Sequence, residues 1–210
     1  FVDKFLRKDG ETIEEAKELA RTMIEIGDSL GKDTRATISN MSQPLGYAIG
    51  NSLEVKEAID TLNGHGPEDL LELCLQAGSH MLIQAQKTDS LITARKMLED
   101  AIESKKALRT LCAMVKAQGG DDAFIRHPEM FPKAKEVIPV YSQKTGYVKD
   151  LKAKPLGIVS MKLGGGREKT DDDIDYSVGL VLHKKIGDFV KKGEVLVEVH
   201  TNTGLSQELE

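Results

Sequence analysis

The stretch NMSQPLGYAIGNSLEVKEAIDTLNGHGPEDLLELCLQAGSHM, residues 40–81, decides the fold. In its opening part Pro44, Gly46 and Gly50 hold an irregular turn, because proline fixes one backbone angle and glycine supplies angles closed to other residues. Asn51 then offers a side-chain cap and Glu54 the reciprocal partner of a capping box, so SLEVKEAIDTL is expected as a helix ending near Gly64. Just upstream, TRATISN (34–40) is short and β-branched, which suits a buried strand. Strand, loop and helix is therefore the expected local order.

Working outward, TIEEAKELARTMIEIGDSLG carries Ile13, Ala16, Ala20, Met23 and Ile24 on one helical face, with Thr12 and Glu15 as a capping box and Gly31 as the stop. Helical patterns also cover residues 67 to 85, 91 to 103 and 105 to 118. After Gly119-Gly120 the texture changes. His127-Pro128, Pro132 and Pro139 punctuate the chain, which places a domain boundary near residue 130. Beyond it EVIPVYS, TGYVKDLK, LGIVSMKLG, YSVGLVLHKK and GEVLVEVHT read as short strands, giving a mainly β second domain. The expected class is α/β: part of an α/β domain over residues 1–130, then a mixed, mainly β domain over residues 131–210.

A formal charge of −5, with basic residues interleaved among acidic ones, removes the attraction that drives binding to nucleic-acid phosphates. No run approaches the roughly 18 apolar residues that cross a bilayer, and the opening FVDKFLRKDGE lacks a signal peptide's apolar core. Neither nucleic acid nor membrane is expected as a partner, and a cytoplasmic location is. Cys74 and Cys112 lack zinc-site spacing and are expected as buried reduced thiols, while His65, His80, His127, His183 and His200 show no ligand spacing.

Three segments can carry chemistry. The loop at 40–50 can turn backbone carbonyls toward one point, and Glu57, in the second turn of the next helix, can bring a carboxylate there; such oxygens suit a hard cation. The plain alternative is a connecting loop and a solvated glutamate. The loop of SMKLGGGREKTDDD can wrap N–H groups around an anion, aided by Lys162, Arg167 and Lys169, or can be a hairpin turn or a closing element. The pattern IGDFVKKGEVLVEV, 186–199, is similar to the hairpin half of biotinyl and lipoyl carriers, but Met161-Lys162 precedes it rather than following.

The run from residue 40 to 81, together with AQGGD at 117–121, KTGYV at 144–148, LGGGR at 163–167 and DIDYSVGLVLHKKIGDFVKKGE at 173–194, resembles the pyrimidine-nucleoside phosphorylases in the order that family shows them. The resemblance implies the C-terminal portion of a homodimeric enzyme that reversibly phosphorolyses uridine or thymidine, with phosphate as co-substrate. It also implies a potassium ion held partly by Leu45, Ala48 and Glu57. The family's Lys-His-Ser and Ser-Gly-Arg-Gly phosphate segment, and its base-binding Arg, Ser and Lys, have no counterpart in these residues. Accordingly no catalytic or substrate-binding residue is assigned, and the chain by itself is expected to be inactive. The opening FVDKFLRKDGETIEEA does not follow the family pattern. The alternative function is a non-catalytic binding, scaffold or carrier module.

Overall fold

A computed structural model describes residues 13–167 and 169–205, so the expected Thr12–Glu15 box and the opening ten residues lie outside the described residues. The chain divides into two compact units, residues 1–41 with 73–98, and residues 42–72 with 99–210.

In the first unit, helix α1 (Ile13–Ser29) turns Ala16, Ala20, Met23 and Ile24 to its half-covered side, as their spacing predicts, whereas Ile13 is exposed. Lys32 N–H donates to the Gly27 carbonyl at 3.0 Å across Gly31, closing the helix. Residues 34–40 form no strand, contrary to expectation; they are mostly exposed and join no ladder among the described residues. β-branched composition favours extended backbone, but a strand also needs a hydrogen-bonding neighbour. Further on, α3 (Glu68–Gln84), whose first turn belongs to the second unit, and α4 (Leu91–Glu103), whose last residues do, match their predicted limits closely. Gly78 of α3 is the close approach to Leu98, whose Cδ1 lies 2.8 Å from where a Cβ would stand. Cys74 is exposed, correcting the expectation of burial, because the inward face of α3 runs through Leu75 and Ser79 instead.

The second unit is built on a four-stranded sheet in the order β1 (Ala48–Ile49), β4 (Gly179–Leu182), β6 (Val195–Thr201), β2 (Glu136–Tyr141), every neighbour antiparallel. The register pairs Ala48 with Val181, Leu180 with Val199 and Val140 with Val197, and slips once after Val140. A two-stranded ribbon joins β3 (Gly146–Tyr147) to β5 (Phe189–Val190). The core over the sheet contains Leu163, Val178, Leu180 and Val199.

Residues 156–164, expected as a strand, are instead helical: α7 (Ala153–Ser160) runs into a wider π turn over Met161–Gly165. Leu156, Val159 and Leu163 pack on the core at intervals of three and four, which is a helical stripe that a short apolar run conceals. A second cluster gathers Ile59 of α2 (Asn51–Leu62), Cys112 of α5 (Lys106–Ala117) and Ile125 of α6 (Ala123–Arg126). The architecture is mixed α/β.

Candidate functional site

The loop before α2 is fastened from three sides. Glu57 Oε1 accepts the backbone N–H of Tyr47 at 2.8 Å and that of Ala48 at 3.1 Å. Asp69, in the first turn of α3, accepts the Gly46 N–H through Oδ2 at 3.3 Å. From the β4–β5 connection, Ile186 N–H donates to Gln43 Oε1 at 2.8 Å, and Lys185 Nζ donates to the Pro44 carbonyl at 2.5 Å and to Asp69 Oδ2 at 3.0 Å. The same ammonium lies 5.2 Å from the centre of the Tyr47 ring, and Lys185 is only 9% exposed.

Each anchor has a local cause. Gly50 and Gly179 let β1 and β4 meet closely: a Cβ on Gly179 would stand 2.2 Å from the Ile49 carbonyl oxygen, and one on Gly50 would stand 2.5 Å from that of Val178. Gly46 leaves room for the Glu57 carboxylate, whose Oε2 would lie 2.1 Å from a Cβ there. The predicted capping box is shifted by one residue. Glu54 Oε1 accepts the Gly50 N–H at 2.9 Å, making Gly50 the cap, while the Asn51 side chain donates to the Gly165 carbonyl at 2.8 Å. Asn51 therefore ties the loop's helix to the Gly-rich turn instead of capping.

Of the predicted cation residues, Ala48 is buried, Leu45 is exposed and Glu57 is partly buried. Burial pushes the Glu57 carboxyl above its ordinary range and Asp69 adds to this; the N–H groups of Tyr47 and Ala48 and the charge of Lys185 oppose it. Among the described residues no hydrogen bond reaches Glu57 Oε2 or the Leu45 carbonyl. One oxygen of the half-desolvated Glu57 carboxyl and the Leu45 carbonyl are thus left without donors, and oxygen atoms of this kind suit a hard cation. Lys185 and Asp69 were missed by the sequence reading. Lys185 closed the expected strand YSVGLVLHKK and Asp69 lay in the helical pattern of residues 67 to 85, and only their meeting over Pro44 distinguishes them.

The Gly-rich segment is an internal brace. The Gly164 carbonyl accepts the Asp175 N–H at 2.9 Å, and Arg167 Nε donates to the Asp172 carbonyl at 3.0 Å. It follows a helix, so the hairpin reading fails. Lys162 lies in the π turn and not at a hairpin tip, and nothing in the geometry favours a carrier. A groove of about 640 Å³ lined by Val55, Phe124, Phe131 and Tyr176, among others, does not include Leu45, Ala48 or Glu57.

Comparison with known proteins adds two family matches. Residues 5–108 match the glycosyl transferase family, a/b domain, and residues 147–209 match the pyrimidine nucleoside phosphorylase C-terminal domain. The pyrimidine-nucleoside phosphorylase of Geobacillus stearothermophilus is 52% identical over 190 residues, covering 90% of this chain and 44% of the relative. That of Staphylococcus haemolyticus is 50% identical over 191 residues, covering 91% and 44%. The chain thus spans somewhat less than half the length of these relatives, and it belongs to the pyrimidine-nucleoside phosphorylase family, of which it carries the C-terminal portion.

Proposed function

We propose that this chain is the cation-holding and C-terminal part of a pyrimidine-nucleoside phosphorylase, which reversibly phosphorolyses uridine or thymidine to free base and (deoxy)ribose 1-phosphate. In that reaction a phosphate oxygen bonds to the anomeric carbon as the carbon–nitrogen bond breaks, and the bonding pair leaves with the base. Catalysis of this kind rests on in-line positioning and on stabilising charge in an oxocarbenium-like state. The intact protein is read as a cytoplasmic homodimer, with the phosphate- and base-binding groups supplied from outside these residues. The chain order divides near residue 130 into a partial α/β domain and the C-terminal domain.

Within this chain, Leu45 and Ala48 offer carbonyls and Glu57 a carboxylate to a potassium ion. When bound, the ion supplies positive charge that offsets the half-buried acid and holds the loop. Glu57 orients the loop through the Tyr47 and Ala48 N–H groups whether or not the ion is present. The single observation that carries the reading is identity of 50–52% across about nine-tenths of the chain to two pyrimidine-nucleoside phosphorylases. The test is Glu57→Gln in the intact protein. The amide oxygen still accepts the two N–H bonds, so the fold is expected to persist while potassium activation of uridine phosphorolysis is lost. Unchanged activity and unchanged ion dependence would refute the assignment. Turnover of uridine by the 210-residue chain alone would refute the placement of the catalytic groups elsewhere.

A further inference from the structure

We propose that Lys185 is a built-in cation that sets the charge selectivity of the 42–48 loop, tuning it to a monovalent rather than a divalent ion. This rests on the reading of Glu57 as a cation ligand. Two carboxylates, Glu57 and Asp69, fasten the same short loop by accepting its backbone N–H groups. A site with two carboxylates and carbonyl oxygens has the donor set that divalent calcium takes. Lys185 changes this balance. Lys185 is almost fully buried, and its ammonium is bonded to Asp69 Oδ2 and the Pro44 carbonyl and acts electrostatically on Glu57.

With the lysine in place the group carries one net negative charge, which a single monovalent ion neutralises. A divalent ion would leave an excess positive charge in a partly desolvated loop, where charge interactions are weakly screened. Lysine suits the role because its ammonium is a compact point charge whose three donors can serve Pro44 and Asp69 together. Its Nζ bond to the Pro44 carbonyl also occupies one oxygen of the loop, leaving the neighbouring Leu45 carbonyl for an ion.

The test measures, in the intact protein, the thermal midpoint against KCl and against CaCl2 at matched ionic strength, giving an apparent affinity for each ion. The parent is expected to respond to potassium in preference to calcium. Lys185→Gln should shift the ratio toward calcium by at least about tenfold, given the strength of one unit charge at close range. Lys185→Arg should retain the potassium preference, and Asp69→Asn should move the ratio the opposite way, against calcium. A merely structural lysine would lower the midpoint in every salt without changing the ratio. A folded Lys185→Gln protein whose ratio stays within about twofold of the parent overturns the proposal. If that variant does not fold, an unchanged ratio in Asp69→Asn overturns it. A parent that responds to neither ion overturns the cation reading itself, which separates the two failures.

Discussion

Gly179→Ala tests the junction on which the loop depends. Gly179 holds φ at +148°, a region essentially reserved for glycine, and a Cβ there would stand 2.2 Å from the Ile49 carbonyl oxygen, 3.0 Å from Gly50 Cα and 3.1 Å from Leu53 Cδ1. Two of those three atoms are backbone in the facing strand and cap, so no rotamer change relieves the overlap. The backbone conformation costs about 1–3 kcal/mol, and forcing the strands apart adds about 1–3 kcal/mol by analogy with overpacked cores. The expected total is about 2–6 kcal/mol, a downward shift of the urea midpoint of about 1–3 M for a typical slope near 2 kcal/mol/M.

Two controls separate these terms. Gly187→Ala meets nothing within 4 Å but keeps φ at +95°, so only the conformational cost of about 1–2 kcal/mol applies. Gly146→Ala meets nothing and has no such φ, so a change within about 0.5 kcal/mol is expected. The chain has no tryptophan, so far-UV circular dichroism is the natural probe of urea unfolding. A Gly179→Ala protein no less stable than Gly187→Ala would refute the close approach of β1 and β4.

Asp175→Asn should cost about 2 kcal/mol in urea unfolding, because it ends a charged network: Oδ1 accepts Ser177 N–H and Oγ, and Oδ2 accepts Asn202 Nδ2, which an amide nitrogen would face as donor against donor. Burial alone would raise the Asp175 pKa, but the Ser177 and Asn202 bonds and the charge of Lys135 outweigh it and hold the carboxyl low. Its contribution is therefore present above the ordinary value of 3.8 and lost as pH falls through the lowered folded value, and the variant should flatten that acid limb. His200 is depressed, first by burial and then by Lys56, against an opposing pull from Glu198, and its buried Nε2 has no partner among the described residues. Stability should be full above pH 6.5 and decline as pH falls from there through the folded value; an NMR titration placing His200 at or above 6.5 would refute this.

Several elements were legible because their signals are local. The helices at Leu91–Glu103 and Lys106–Ala117 follow from periodicity, and the strands at Glu136–Tyr141 and Val195–Thr201 from β-branched runs between turn residues. The misreadings share a cause in partners remote along the chain. Residues 34–40 have strand composition but no described neighbour to pair with. The apolar run at 156–164 is read by a core that recognises Leu156, Val159 and Leu163 as one helical stripe. Asn51 has the chemistry of a cap, yet its amide is drawn to Gly165, far away in sequence.

By itself, the sequence determined the family, the turn-rich loop at 40–50 and the place of Glu57 on the following helix, since motif order and short-range spacing are written directly in the chain. Only the tertiary structure decided what that loop rests on. Ile186 stands 143 positions from Gln43 and Lys185 stands 116 from Asp69, and hydrogen bonds across such distances depend on how strands and helices close, which no local pattern encodes. The charge of the site follows from that closure: a lone glutamate in sequence becomes, in the fold, one of two carboxylates fastening the loop, with the buried Lys185 bonded to the loop and to Asp69.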